Sequence, residues 1–426
     1  MAKKALILVG GGTRGTRFRP LSLESPKVLF PVAGKPIVSH AIDAAATLPS
    51  VQEIVLVGFH PASTFNELIA QTKRQYPNIV IKYLQEYKPL GTAGGLYHFR
   101  DEILSGDPEA FFVIHADVCS SFPLEEIETF YKNVEADAVI LATNVPKQTV
   151  VGNFGSIVVA DDGSGKVVHY VEKPESALST LVNAGVYLFN KSIFDTIAEA
   201  KKERSDQVSS GVSFDTDPDF LSLERDILSK LPHLSNTKFY AYVSKDFWRQ
   251  IKTAGSALPA NSLYLQKLDQ SDSKSPGLLP RSSNIIPPVY ADETAIIDPT
   301  AKLGPNVSIG KHVTIGKGAR VRDSVILNGT EIKHDAVILN TIISDDCKIG
   351  SWARIEGSSD STAASTSAAS TGYMVGITDG VSVGSSSTGV SILASNVLVG
   401  DEVHIKNSVI LNWKEIKSDV CNEVIM

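Results

Sequence analysis

From Ile297 to Leu327 an aliphatic residue recurs at every sixth position: Ile297, Leu303, Ile309, Ile315, Val321 and Leu327. Two positions before each stands a small or β-branched residue, at Ala295, Ala301, Val307, Val313, Ala319 and Val325. Glycine follows three of them, at Gly304, Gly310 and Gly316. A period of six is neither the 3.6 of a helix nor the 2.0 of a flat strand. It is the signature of a left-handed parallel β-helix, whose coils of roughly 18 residues stack identical aliphatic positions into a ladder. After a weaker stretch through Ile326, Ile332 and Ile338 the period continues at Ile349 and Ile355. It returns at Leu393, Val399, Ile405 and Leu411. Residues 289–426 are therefore predicted to form a solenoid.

One tract interrupts it. Residues 357–391 are rich in Ser, Thr, Ala and Gly, a composition that cannot bury enough surface to repay its ordering entropy. They are predicted to form an inserted loop. Two readings stay open for it: a tolerated surface insertion, or a loop that reaches a partner subunit through its apolar middle, residues 373–377.

Before residue 250 the pattern is different. Apolar runs at 5–10, 53–59, 79–84 and 110–117 read as buried strands, and residues 38–48 and 62–76 between them read as helices. This alternation predicts an α/β, Rossmann-like domain with a parallel, doubly wound sheet, which places ligands at the carboxyl ends of its strands. The expected boundaries are 1–255 for this domain, 256–288 for a linker and 289–426 for the β-helix. Residues 201–219 read as a solvated loop before a helix at 223–231.

Composition narrows the function classes. Forty basic against 47 acidic residues give a net charge of -7, with no basic block, so nucleic acid is not an expected partner. The apolar run at residues 5–9 is too short for a membrane span or a signal segment, so no membrane partner is expected. Three widely spaced cysteines, Cys119, Cys347 and Cys421, form no disulfide framework or zinc motif and suit a reducing, cytoplasmic location.

The first strand runs into a glycine-rich loop at 10–15, whose backbone N–H groups suit phosphate, with Arg17 and Lys27 nearby to supply charge. It is not a Walker A loop, because the GxxxxGK[ST] spacing is absent. Further pieces follow in order: SPKVLFPVAGKP (25–36), QEYKPLGTAGGL (85–96), HADV (115–118), YVEKP (170–174) and NAGVY (183–187). Together they resemble the GDP-mannose pyrophosphorylases, a family of sugar-1-phosphate nucleotidyltransferases, over almost the whole chain, and specifically the alpha, regulatory type of subunit.

The resemblance implies site residues. Gly10, Gly11, Gln85, Glu86, Gly91, Thr92 and Asp117 match nucleotide-binding positions, with the Glu86 carboxylate as acceptor for the guanine N1–H and N2–H₂ donors. Gly155, Glu172, Lys173 and Asn183 match sugar and diphosphate contacts, and Arg17 and Lys27 match catalytic positions. Mg²⁺ would be held on Asp117 and a second aspartate, and would be needed only for catalysis, not for GDP-mannose binding. Here the chain departs from the pattern. Gly12, Thr13 and Arg14 widen the glycine loop, Val28 replaces a proline, and FWRQIK (247–252) puts Gln250 where catalytic members carry the second metal aspartate. Gln250 can still donate to a diphosphate oxygen.

The losses fall on metal and triphosphate handling, while base and sugar positions survive. The expected function is a GDP-mannose-binding regulatory subunit that senses this product and controls a catalytic beta-type pyrophosphorylase partner. The alternative is an active mannose-1-phosphate guanylyltransferase joining GTP and mannose-1-phosphate. A structural subunit and a hexapeptide acyltransferase fit less well, since neither explains the retained sites. A homo-oligomer through the β-helix is also expected.

Overall fold

A computed structural model describes the chain except for residues 1–2, 11–14, 177, 210–216, 272–275 and 359–388. The chain divides into two compact units, Met1–Arg14 with Val38–Trp248, and Gly15–Ile37 with Arg249–Met426.

The first unit is built on a mixed sheet. Its centre is parallel, in the spatial order Val80–Gln85, Val51–Gly58, Lys3–Gly10 and Ala110–His115. These strands are continuous apolar runs because both faces are covered, as the near-complete burial of Ala5, Leu6, Ile7, Val55, Leu56 and Phe112 shows. The sheet is not parallel throughout, however. Leu181–Asn190 runs antiparallel beside Ala110–His115, and it also pairs antiparallel with Ala138–Asn144. Phe239–Val243 then adds a parallel edge to Ala138–Asn144. The helices Asn66–Gln75, Gly91–His98, Leu124–Asn133 and Ile193–Ser209 supply the crossovers and covers. Residues 223–228 form one widened helical turn where a longer helix was expected; Ser222 caps its start, with its own N–H held by Asp226 Oδ2 at 2.7 Å, and the chain continues into a separate short turn at Leu231–His233.

In the second unit the solenoid is present as three parallel sheets, two of six strands and one of seven, the arrangement of a left-handed β-helix. The first coil pairs Ile297 with Ile315 and Leu303 with Val321. Later coils drop one residue, so that Ile309 pairs with Ile326 and Ile315 with Ile332. The spacing of inter-coil hydrogen bonds changes likewise, from 18 positions at Thr294–His312 to 17 at Lys311–Asn328. This slip corrects the six-residue phase: the ladder passes from Val321 to Ile326, not Leu327, and later to Ile410, not Leu411. The corners tolerate it because left-handed residues turn them, including Asn306, Asp323 and Asn340 in one column.

The insertion leaves this frame undisturbed. Thr341 pairs with Ser391 and Ile343 with Leu393 directly across it, and Asn340 donates to the carbonyls of both Ser358 and Gly389. The body of the predicted inserted loop, 359–388, lies outside the described residues, and with it residues 373–377. A helix, Ala257–Gln270, occupies much of the span read as a linker. Its buried Asn261 accepts from Ala33 N and from Ser308 Oγ, tying residues 31–36 to the first coils. Gly34 sits in the hairpin turn at φ +80° with the Tyr290 ring against it, where a Cβ would come within 2.3 Å. That packing is why residues 15–37 belong to the solenoid unit.

At the amino end of the parallel strands, opposite the edge formed by their carboxyl ends, the buried Lys3 ammonium donates to Glu128 Oε1 at 2.9 Å. Burial alone would raise the pKa of Glu128, but Lys132, Ser50 and Lys3 outweigh it and hold the carboxyl down at about 2. The pair therefore contributes stability above the ordinary carboxylate pKa and loses it as pH falls toward 2. Glu128→Ala should destabilise the protein by about 3 kcal/mol at pH 7, since it leaves the buried Lys3 ammonium with only the more distant Glu109 Oε2, at 3.8 Å, to offset its charge. Denaturant unfolding of both proteins checks this; a change below about 1 kcal/mol would contradict it.

Candidate nucleotide and sugar site

Parallel register sets the first part of the site. Gly10 pairs with Gly58 and Gly58 with Gln85, so three strand ends lie side by side on one edge. Glu86 continues the row, its N–H donating to Gly58 O at 2.8 Å. Strand alternation sends Gln85 and Glu86 to opposite sides. Gln85 Oε1 accepts from Ala62 N at 3.1 Å, so its side chain is engaged by the 62–65 turn and is not brought to Glu86.

The Glu86 side chain lies beneath the helix Gly91–His98 and is only 6% exposed. A Cβ on Gly95 would meet Oε1 at 2.2 Å, so that glycine makes room for the carboxylate. Burial pushes the Glu86 pKa up to about 7, and the Leu90 N–H offsets this only in part. Thr92, from the same turn, spends its hydroxyl internally: Oγ1 donates to Glu224 Oε2 at 2.9 Å and accepts from Leu223 N at 2.7 Å. What Gly91 and Thr92 offer a ligand is therefore backbone.

A second cluster forms where Leu181–Asn190 faces Val167–Val171. Asn183 Nδ2 donates to Tyr170 Oη at 3.0 Å and to Tyr187 Oη at 2.8 Å, and its Oδ1 accepts from Gly185 N at 2.9 Å. Tyr170 in turn donates to Glu172 Oε2 at 2.9 Å. Gly155 backs the cluster so closely that a Cβ there would meet Tyr170 Oη at 2.1 Å. Both Asn183 donors are thus consumed, leaving one lone pair on Oδ1, and Glu172 Oε1 remains as a second acceptor. Two preset acceptors suit a ligand that presents adjacent hydroxyl donors. Burial raises the pKa of Glu172, partly offset by Tyr170. Lys173 is exposed, with Nζ 3.9 Å from Glu172 Oε1, and is available to an anion at the rim.

The structure adds two residues that sequence reasoning missed. His115, the last residue of its strand, has Nε2 3.1 Å from Glu224 Oε1, and their side chains are 19% and 15% exposed. Burial works against a charge on His115, but Glu224 outweighs it and holds the histidine pKa above its ordinary value. Glu224 is correspondingly held low despite burial. The sequence carried a signal for one of them only, a histidine in the HADV motif that supplied Asp117; Glu224 is one of two acids in the mixed segment LERDIL and nothing local sets it apart. Asp117 lies two residues beyond and acts electrostatically on both His115 and Tyr187.

Of the remaining expected residues, Arg17, Lys27 and Gln250 belong to the second unit. Arg17 is exposed on the turn Thr16–Phe18, and Lys27 Nζ donates to Ile251 O at 3.0 Å. Gln250 ends the short strand Trp248–Gln250 and is half-buried. Gly11 lies outside the described residues. Mg²⁺ favours carboxylate oxygens, and Gln250 brings a neutral amide in place of the second one. That donor set does not fit a firmly held Mg²⁺. Among the described residues no group of three His, Cys, Asp or Glu side chains is placed to hold a metal.

Comparison with known proteins follows the same division. The nucleotidyl transferase family matches residues 4–214, and the GMPPB C-terminal domain matches residues 285–426. A probable mannose-1-phosphate guanyltransferase of Schizosaccharomyces pombe is 44% identical, covering 100% of both chains. A mannose-1-phosphate guanylyltransferase regulatory subunit alpha-B of Danio rerio is 41% identical over 99% of this chain and 100% of its own. The regulatory subunit alpha of Dictyostelium discoideum is 40% identical over 99% of this chain and 98% of its own.

The raised pKa of Glu86 has a measurable sign. Its stability contribution is complete below the unfolded value of 4.5 and is lost as pH rises through about 7. Glu86→Gln should remove that loss, so the variant gains on the wild type by about 3 kcal/mol between pH 4.5 and 8. Unfolding free energies across this range decide it; a constant difference would show that Glu86 titrates normally.

Proposed function

We propose, for a chain that belongs to the mannose-1-phosphate guanylyltransferase family, that it is a GDP-mannose-binding regulatory subunit. On this reading it senses GDP-mannose and controls a catalytic beta-type partner. One observation carries the reading: acceptors suited to a sugar are assembled at Asn183 and Glu172, while Gln250 brings an amide to the position of a metal carboxylate. The names of the alpha-subunit relatives support it.

In binding, Glu86 accepts from the guanine N1–H and N2–H₂, which requires its ionised form. The Asn183 and Glu172 oxygens accept from mannose hydroxyls, and Lys173 neutralises diphosphate charge. Transfer of a nucleotidyl group would additionally demand charge neutralisation and positioning at the α-phosphate. The amide at Gln250 and the two extra residues in the glycine loop leave those two demands less well met. The solenoid is the proposed oligomer surface, since its open ends need a cap or a partner. A cytoplasmic site of action is consistent with the cysteine usage; among the described residues no helix is long and apolar enough to cross a membrane.

The alternative is an active guanylyltransferase, which the printed name of the fission-yeast relative favours. Turnover separates the two. Purified protein given GTP, mannose-1-phosphate and Mg²⁺ should form GDP-mannose at well under about 1 per second. A rate on the order of 1 to 10³ per second would establish the alternative.

A further inference from the structure

Glu224 joins the two halves of the candidate site. Its Oε2 accepts from both Thr92 Oγ1 at 2.9 Å and Ser222 Oγ at 2.8 Å. Its Oε1 faces His115 Nε2 at 3.1 Å, and both of these atoms are closed to solvent without a well-aligned hydrogen bond. The His115 ring packs edge-on against Tyr187 with centroids 5.8 Å apart, and Tyr187 Oη accepts from Asn183. A continuous path of contacts therefore runs from the Gly91–Thr92 turn through Glu224, His115 and Tyr187 to the sugar-side acceptor. A carboxylate suits the junction because two hydroxyls donate to one oxygen while the other faces a ring nitrogen. An acid with one oxygen closed to solvent, linking two segments of the candidate site, is costly unless its partners are kept in place.

We propose that Glu224 is a positioning residue that makes the nucleoside-side turn and the sugar-side cluster act as one site, so that the two ends of a sugar nucleotide are bound cooperatively. This rests on the reading of the chain as a GDP-mannose binder. The physical consequence is a coupling between contacts. With the strut intact, a ligand that orders the turn finds Asn183 already held; without it, each end must be ordered separately.

The test compares GDP and GDP-mannose affinities by calorimetry for wild type, Glu224→Leu, Glu224→Gln, Thr92→Val and Thr92→Ser. Glu224→Leu and Thr92→Val should each reduce the advantage of GDP-mannose over GDP by about tenfold. Glu224→Gln and Thr92→Ser, which keep the Thr92–residue 224 hydrogen bond, should restore most of it. A structural role alone would lower thermal stability and leave the affinity ratio unchanged, which would overturn the proposal.

Hydrogen exchange of the ligand-free proteins provides the second arm. Breaking the strut should accelerate exchange at 91–96 and 183–187 together, and the conservative variants should not. Acceleration of one segment alone, or of neither, would overturn the proposal. Should Glu224→Leu fail to fold, Thr92→Val against Thr92→Ser makes the same comparison. Absence of GDP-mannose binding by wild type would refute the functional reading, and the exchange experiment would still decide the coupling.

Discussion

Everything the first unit can do depends on parallel pairing at its centre. Because Lys3–Gly10, Val51–Gly58, Val80–Gln85 and Ala110–His115 run the same way, their carboxyl ends share one edge. Polar groups at that edge have a supporting sheet behind them and chain reversals in front, the place where open α/β sheets bind ligands. Gly10, Glu86 and His115 all stand there. The opposite edge, with the buried Lys3–Glu128 pair, serves stability. The antiparallel strand Leu181–Asn190 then brings Asn183 and its tyrosines up beside the parallel set.

The resulting site is a set of acceptors fixed before any ligand arrives. Asn183 cannot rotate without breaking three hydrogen bonds, and Glu172 is oriented by Tyr170. Preset acceptors reduce the ordering cost of binding a hydroxylated ligand. Glu86 works in the other direction: burial makes its ionised form costly, a cost that a donor-bearing base would offset on the proposed reading. On that reading, such an arrangement suits a sugar nucleotide. Phosphoryl-group chemistry would call for carboxylates around a metal, and the chain has a glutamine at position 250.

Much of this was legible in the residues alone, for physical reasons. A six-residue aliphatic period has one structural solution, and the strands of a doubly covered sheet announce themselves as unbroken apolar runs. The slip to 17-residue coils was not legible, because Leu327 is as aliphatic as Ile326 and only stacking decides between them. The helix Ala257–Gln270 was hidden by the polar, proline-bearing composition on its carboxyl side. In the candidate site, resemblance to the family's motifs singled out Gln85, Glu86, Glu172 and Asn183, and only the folded chain shows that the Gln85 amide oxygen accepts from Ala62 N. Glu224 and His115 escaped because they are 109 positions apart, and nothing local marks an acid in a short helical turn as the partner of a strand-end histidine.

The central claim is that the first unit recognises both ends of a guanosine diphospho-sugar without help from a divalent cation. A calorimetric titration of the purified chain with GDP-mannose and with GDP, in buffer containing EDTA, tests it most directly. The account predicts saturable binding of GDP-mannose, at least about tenfold tighter than GDP, a difference of roughly 1.4 kcal/mol from the sugar contacts. Equal affinity for the two ligands, or binding of GDP-mannose that vanishes with the chelator, would contradict it.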